Sequence, residues 1–425
     1  MDDKFLLNLV VQKAKNAWIG CRPPANMDAM DIESCANFRL SSNFHGQYDT
    51  VWLYEQELQN YHILSWKIIL DESLRLLKEN GKLVVHMHQN RYMTIPKLKS
   101  FLGRHINLQV YMVYESKDFS IFVFDIKRLN FKDYSSDLWT FAMLTGGKKD
   151  DVVIKFLKSI RNHDPQKKHE IIISGPKKEI YDVYGVRYLD LSQFRDKEYA
   201  EISRKKNAIV CMAKNPNLLI AHDRYYLDDG FFENFAKYGY DWDFLACRQQ
   251  WEDGTEFPFY CALYEPELTW TQGINSHEYK HLLNTQYVNG GAMVFKTRTL
   301  QKIQFNPLLF WDQMEDVEIT RVFMQHSLIP RVNCLSALIT IMDGGKRSES
   351  FALFDQYDGK KIRHKISDVE RGTLFGVSIG QTKLFSIDII KHFPFLVITT
   401  TPKQKKGLRR QIKIFGIKIT WHSNK

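Results

Sequence analysis

The chain has 425 residues, 44% of them hydrophobic, which is enough to bury more than one core and suggests two or three domains. Its net charge of +10 is local: Lys403, Lys405, Lys406, Arg409, Arg410, Lys413, Lys418 and Lys425 bring eight positive charges with no acidic residue among them, a distribution that argues against a nucleic-acid partner. Six cysteines without a CxxC pair argue against a zinc module and a disulfide framework, and no stretch reaches the ~18 apolar residues of a spanning helix. Met1 is followed by Asp2 and Asp3 instead of a basic region and an apolar core. The expected location is cytoplasmic, with membrane contact at most peripheral.

Residues 1–130 alternate short apolar runs with amphipathic stretches, the pattern of strands linked by helices. Residues 17–20, 48–54 and 82–86 read as strands. Ile63, Trp66, Ile69, Leu70, Leu74 and Leu77 recur at helical spacing, and Asn80-Gly81 reads as the stop signal of that helix. Residues 107–114 and 119–126 read as an antiparallel pair. This order resembles the second half of a class I S-adenosylmethionine methyltransferase, with LRLLKENGKLVVHM before a final hairpin. The cofactor turn of that family is glycine-rich, whereas residues 20–26 read GCRPPAN with Gly20 alone. The expectation is a degenerate Rossmann-like α/β domain that does not bind the cofactor.

A polar, turn-rich stretch at 130–137 marks a boundary, after which a second α/β domain is expected over 137–345 and an extension with a basic tail over 346–425. Residues 138–144, 169–174 and 187–191 read as strands, and 150–161 as a helix with Val153, Phe156, Leu157 and Ile160 on one face. Thr145-Gly146-Gly147 follows the first of these strands, and Ser174-Gly175 ends the second.

Residues 202–224 read ISRKKNAIVCMAKNPNLLIAHDR: a helix carrying Lys206 and Asn207, then a strand 217–221 ending in His222-Asp223. In this order and spacing the chain resembles inverting, family-2-like glycosyltransferases of the GT-A type, whose nucleotide-sugar-binding mixed sheet holds the donor beyond its strand ends. The resemblance implies a nucleotide-diphosphate sugar as donor, a glycan or lipid-linked acceptor, and Mn²⁺ or Mg²⁺ bridging the phosphates. Asp223 is the first implied metal ligand, with His222 beside it as a second candidate ligand. The family's Asp-x-Asp is replaced here by AHDR, which leaves the number of protein ligands open.

Further on, NGGAMVFK at 289–296 and EDVE at 315–318 match the family's turn beside the donor sugar and its base-bearing helix. Gly290 and Gly291 admit close backbone approach. Inverting transfer needs a carboxylate near the acceptor hydroxyl. The resemblance assigns Asp316 as that base and Glu315 as an acceptor contact; Thr145, Gly146, Ser174, Lys206, Asn207, Gly290 and Gly291 line the donor.

Residues 240–275 mix aromatics with Asp241, Asp243, Glu252 and Asp253, a combination suited to sugar rings. Trp251 and Asp253 are the expected acceptor contacts, because WEDG reads as an exposed turn. Two other readings compete: a nucleotidyltransferase using TGGKKD at 145–150 as a phosphate loop, and a non-catalytic carbohydrate-binding protein. The low-GC composition and the resemblance point to bacterial capsule or lipopolysaccharide assembly. In the tail, QIKIFGIKI at 411–419 suits either shallow contact with an anionic leaflet or a terminal hairpin.

Overall fold

The computed structural model describes residues 14–20, 23–54, 65–90, 93–195, 200–262, 286–310 and 313–342, and the backbone of three strands between 396 and 423. Contacts divide the chain into two units, Met1–Cys261 with Asn275–Ser348, and Ala262–Ile274 with Glu349–Lys425. No helix among the described residues is long and apolar enough to cross a membrane.

The first unit holds two large sheets. The N-terminal one comprises β1 (Asn16–Ile19), β2 (Asp28–Met30), β3 (Tyr48–Leu53), β4 (Leu77–His86), β5 (Leu108–Glu115) and β6 (Ile121–Arg128), in the order β2-β1-β3-β4-β6-β5. The first four strands are parallel, and β6 and β5 close the sheet as the expected antiparallel hairpin. The helix Ser65–Leu76 buries Trp66, Ile69, Leu70 and Leu74, as its apolar spacing requires.

That helix does not stop at Asn80-Gly81. It passes at Leu76 directly into β4, where Asn80 and Gly81 pair with Lys127 and Ile126 of β6. The glycine serves close packing instead: an added Cβ would lie 2.9 Å from Leu77 Cδ2 and 3.1 Å from the Asp49 carbonyl.

The second sheet comprises β7 (Trp139–Leu144), β8 (Glu170–Ser174), β9 (Arg187–Tyr188), β10 (Asn217–His222), β11 (Tyr225–Leu227), β12 (Phe244–Trp251), β13 (Glu256–Phe257), β16 (Ala292–Lys296) and β17 (Arg331–Thr340); β14 (Tyr260–Ala262) and β15 (Gln286–Val288) pair separately. Its order is β11-β17-β12-β16-β10-β7-β8-β9, with β13 on β12. Strands β7 to β10 run parallel, while β16 is antiparallel to both β10 and β12. The fold is α/β with a mixed sheet.

A buried charge network joins the two sheets. Arg75 binds Asp71 (Nε to Oδ2, 2.9 Å), Asp241 (Nη1 to Oδ1, 2.6 Å) and Asp243 (Nη2 to Oδ2, 3.2 Å), and Arg128 Nη2 lies 2.7 Å from Asp241 Oδ2. Arg331 on β17 reaches back to Glu72 at 2.9 Å, with both side chains fully buried. The stretch 130–137, read as a polar linker, contains the short helix Phe131–Ser135, and its Tyr134 donates to Asp243 Oδ1 at 2.7 Å. Asp241 and Asp243 are therefore anchors between sheets and not sugar contacts, and Trp242 beside them is fully buried. Because β12 runs parallel to β10, these anchors sit at the end of the sheet opposite His222.

In the second unit, β18 (Leu396–Pro402), β19 (Leu408–Ile414) and β20 (Ile417–Ser423) form an antiparallel meander. Within the tail segment 411–419, residues 411–414 and 417–419 belong to paired antiparallel strands, and residues 415–416 lie outside the described residues.

Candidate functional site

Register alone brings three distant sequence segments to one sheet end. In the β7–β10 pair, His222 lies opposite Leu144, so Asp223 emerges beside Thr145. In the β10–β16 pair, Ala221 lies opposite Ala292, so His222 meets the Asn289-Gly290-Gly291 turn, its N–H donating to the Gly291 carbonyl at 2.9 Å. The carboxyl ends of β7 and β10 thus lie together at the place where open α/β sheets bind ligands in a crevice.

On one side, Asp223 Oδ2 accepts from Thr145 Oγ1 at 2.8 Å and from the Gly146 N–H at 3.3 Å. Its other carboxylate oxygen takes no hydrogen bond among the described residues. A Cβ at Gly146 would meet open space, whereas Gly175 packs its backbone tightly against Thr145. Ser174 is buried, and its carbonyl accepts from the Thr145 N–H at 3.0 Å. It supports the loop from beneath instead of facing the crevice.

On the other side lies the helix Glu315–Gln325, entered through Met314 in the left-handed region (φ 61°), which non-glycine residues seldom adopt. Glu315, Asp316 and Glu318 occupy its first turn, where the helix dipole favours negative charge. Asp316 Oδ2 accepts from the Gly290 N–H at 2.8 Å and Oδ1 from the Val317 N–H at 2.9 Å. Burial, with the neighbouring Glu315 charge second, raises its pKa to about 6, against the pull of the two N–H groups and Lys206. A Cβ on Gly290 would come within 2.9 Å of Asp316 Cβ, so only glycine permits this approach.

Lys206 and Asn207 part company because successive helical positions point about 100° apart. Lys206 is fully buried, with Nζ 3.1 Å from Glu315 Oε1 and 3.2 Å from the Gly290 carbonyl. Glu315, expected to meet the acceptor, is held by this ammonium. Asn207 spends its amide on Phe305, donating to the carbonyl at 2.8 Å and accepting the N–H at 2.9 Å. Neither side chain of this pair faces the crevice.

Burial, and then the Lys206 and Arg224 charges, push the His222 imidazole well below its usual pKa, so it is neutral; its Nε2 is sealed without a hydrogen-bond partner. Trp251 is 4% exposed and packs edge-on against Phe257 at 5.0 Å, so it is core and not a sugar platform. The following turn is exposed as expected, and Asp253 Oδ1 there accepts from the Thr255 N–H and hydroxyl at 2.9 and 2.6 Å. Tyr264 and Trp270 lie outside the described residues.

A divalent cation of the hard class asks for several oxygen ligands. Asp223 offers one carboxylate, with one oxygen already doubly hydrogen-bonded, and among the described residues no three His, Cys, Asp or Glu side chains gather as a ligand set. The described side chains alone do not complete such a coordination sphere. Sequence reading passed over Arg224, which follows Asp223 directly. Its guanidinium lies over the rings of Tyr225 and Phe257, 5.2 Å from each, beside Gly291.

No family model and no curated protein matches the chain. Among solved structures, it is similar to S. aureus TarS, at 16% identity over 48% of this chain and TM-score 0.33; the match spans only 36% of TarS. It is also similar to GalNAc-T7 with UDP, GalNAc and Mn²⁺ (12% identity, 68% of this chain and 67% of that one, TM-score 0.39). A third is the mannosyltransferase PcManGT from Pyrobaculum calidifontis in complex with GDP-Man and Mn²⁺ (9% identity, 57% and 65%, TM-score 0.33).

Proposed function

We propose that the protein is an inverting glycosyltransferase of the GT-A type, moving a sugar from a nucleotide-diphosphate donor to a hydroxyl of a glycan or lipid-linked acceptor. The observation that carries this reading is the buried Asp316 carboxylate, raised to about 6 and fixed by the Gly290 N–H on the turn that also meets the Asp223 strand end. A base near this value is ionised at neutral pH yet strong enough to take a hydroxyl proton. In the reaction, the acceptor oxygen bonds to the anomeric carbon and its proton passes to Asp316. The carbon–oxygen bond to the diphosphate breaks, its electron pair leaving with the phosphate oxygen. Asp223 retains an oxygen for donor hydroxyls, while Thr145 and Gly146 hold its orientation.

The nucleotidyltransferase alternative needs the loop after β7 to cradle phosphates. Here the Thr145 hydroxyl and Gly146 N–H are engaged by Asp223 instead. A role in bacterial surface-glycan assembly fits a basic tail beside an anionic membrane, where each Lys or Arg contributes about 1 kcal/mol.

The test is a panel of UDP-, GDP-, dTDP- and CDP-sugars, assayed for binding and for slow donor hydrolysis. Binding of none of them sinks the reading. With the donor in hand, kcat/KM should rise with pH through about 6 and level off above it: the raised pKa keeps Asp316 protonated, and idle, below that point. This limb should vanish in the Asp316→Asn enzyme; a limb that persists there belongs to another group.

Gly290→Ala should slow transfer by roughly a hundredfold, because displacing Asp316 by a fraction of an ångström to an ångström spoils the attack geometry. Transfer at the parental rate by the folded variant would detach the turn from catalysis.

A further inference from the structure

Breaking the donor's carbon–oxygen bond leaves an additional negative charge on the diphosphate, which a preorganised cation must meet. We infer that Arg224 of the chain itself, and not a divalent metal ion, receives the donor diphosphate, an inference that rests on the glycosyl-transfer reading above.

Arg224 follows Asp223 at the mouth of β10, and its guanidinium lies against the faces of Tyr225 and Phe257. A Cβ on Gly291 would fall 2.5 Å from Arg224 Nη2 and 2.7 Å from the Tyr225 hydroxyl, so the glycine makes room for the guanidinium beside the turn. The preceding glycine, Gly290, carries the N–H that holds Asp316. One two-residue step of backbone therefore sets both the base and the cation.

The anionic side of this crevice is meagre. Among the described residues Asp223 is its single strand-end carboxylate, and Glu315 is committed to the buried Lys206. A guanidinium, in contrast, presents a planar fork that matches two phosphate oxygens at once and stays charged throughout. Lys206 has no exposed surface and acts as a positioning residue for Glu315 and the Gly290 carbonyl.

The test titrates the full chain calorimetrically with UDP, GDP, dTDP and CDP, once in EDTA and once with Mn²⁺. At least one diphosphate should bind equally in both buffers. Arg224→Gln should weaken that binding by about tenfold or more in each, as expected for loss of a charge-assisted pair, with Mn²⁺ giving no rescue. Arg224→Lys, which retains charge but loses the fork, should fall between them, and it decides the question should the Gln variant fail to show a folded circular-dichroism spectrum. Binding that appears only with Mn²⁺, or that is unchanged in the variants, overturns the inference and leaves glycosyl transfer standing. Binding of no diphosphate in either buffer overturns both.

Discussion

Transfer by the Asp316→Asn enzyme is expected to fall by about 10²–10⁴-fold, the usual loss on removing a general base. The fold should survive, because the amide oxygen of Asn can still accept the Gly290 N–H that Asp316 Oδ2 accepts at 2.8 Å, and only the local bond from the Val317 N–H to Oδ1 is lost. The substitution also removes a buried charge whose raised pKa already marks it as poorly solvated. Donor affinity should stay within a few-fold, so kcat carries the loss. A variant that binds donor and transfers at the parental rate would remove Asp316 from the chemistry.

The second large effect is on stability. Arg75→Ala should cost about 3–5 kcal/mol, measured by urea unfolding at neutral pH, because it leaves Asp71, Asp241 and Asp243 buried without the guanidinium that touches all three. A loss below about 1 kcal/mol would mean that the network is relaxed or hydrated. The same ion pairs govern the acid response. Burial alone would raise the carboxyls of Asp71, Glu72 and Asp241, but the surrounding arginines overrule it and hold all three well below their ordinary values. Below about pH 4.5 the unfolded chain therefore binds protons that the folded chain refuses. Stability present at neutral pH is lost as pH falls through that range and further.

Much of the second sheet was legible from sequence. The strands around 139–144, 170–174 and 217–222 and the helix at 150–161 stand where the apolar periodicity puts them, because each buries one continuous apolar face. The meeting of Asp223 with Thr145 on one side, and of its strand end with the Gly290-Gly291 turn on the other, follows from strand ends, which motif order also conveys.

What sequence could not convey was the direction of individual side chains. Lys206-Asn207 reads as a motif, yet one side chain points to Glu315 and the other to Phe305. Trp251 and Asp253 read as one exposed turn, although strand alternation buries the first. Tyr240-Asp241-Trp242-Asp243 has the composition of a sugar site, and its arginine partners at 75 and 128 lie over a hundred residues away, where no local pattern announces them. Asn80-Gly81 misled for the reverse reason: a strong local stop signal was overridden by strand pairing.

The charge network at the far end of the second sheet also limits what recombination can do with this gene. A chain starting near residue 137 would retain Asp241, Asp243 and Arg331 while losing Arg75, Arg128 and Glu72, exposing a floor of unpaired ions where paired ones had been. Grafting an unrelated front half would fail for the same reason unless it brought guanidinium and carboxylate groups to matching positions. The N-terminal sheet, seated away from the crevice, is thus inherited as a counterweight: its substitutions are answerable to the partner half across the seam, and the two must drift together.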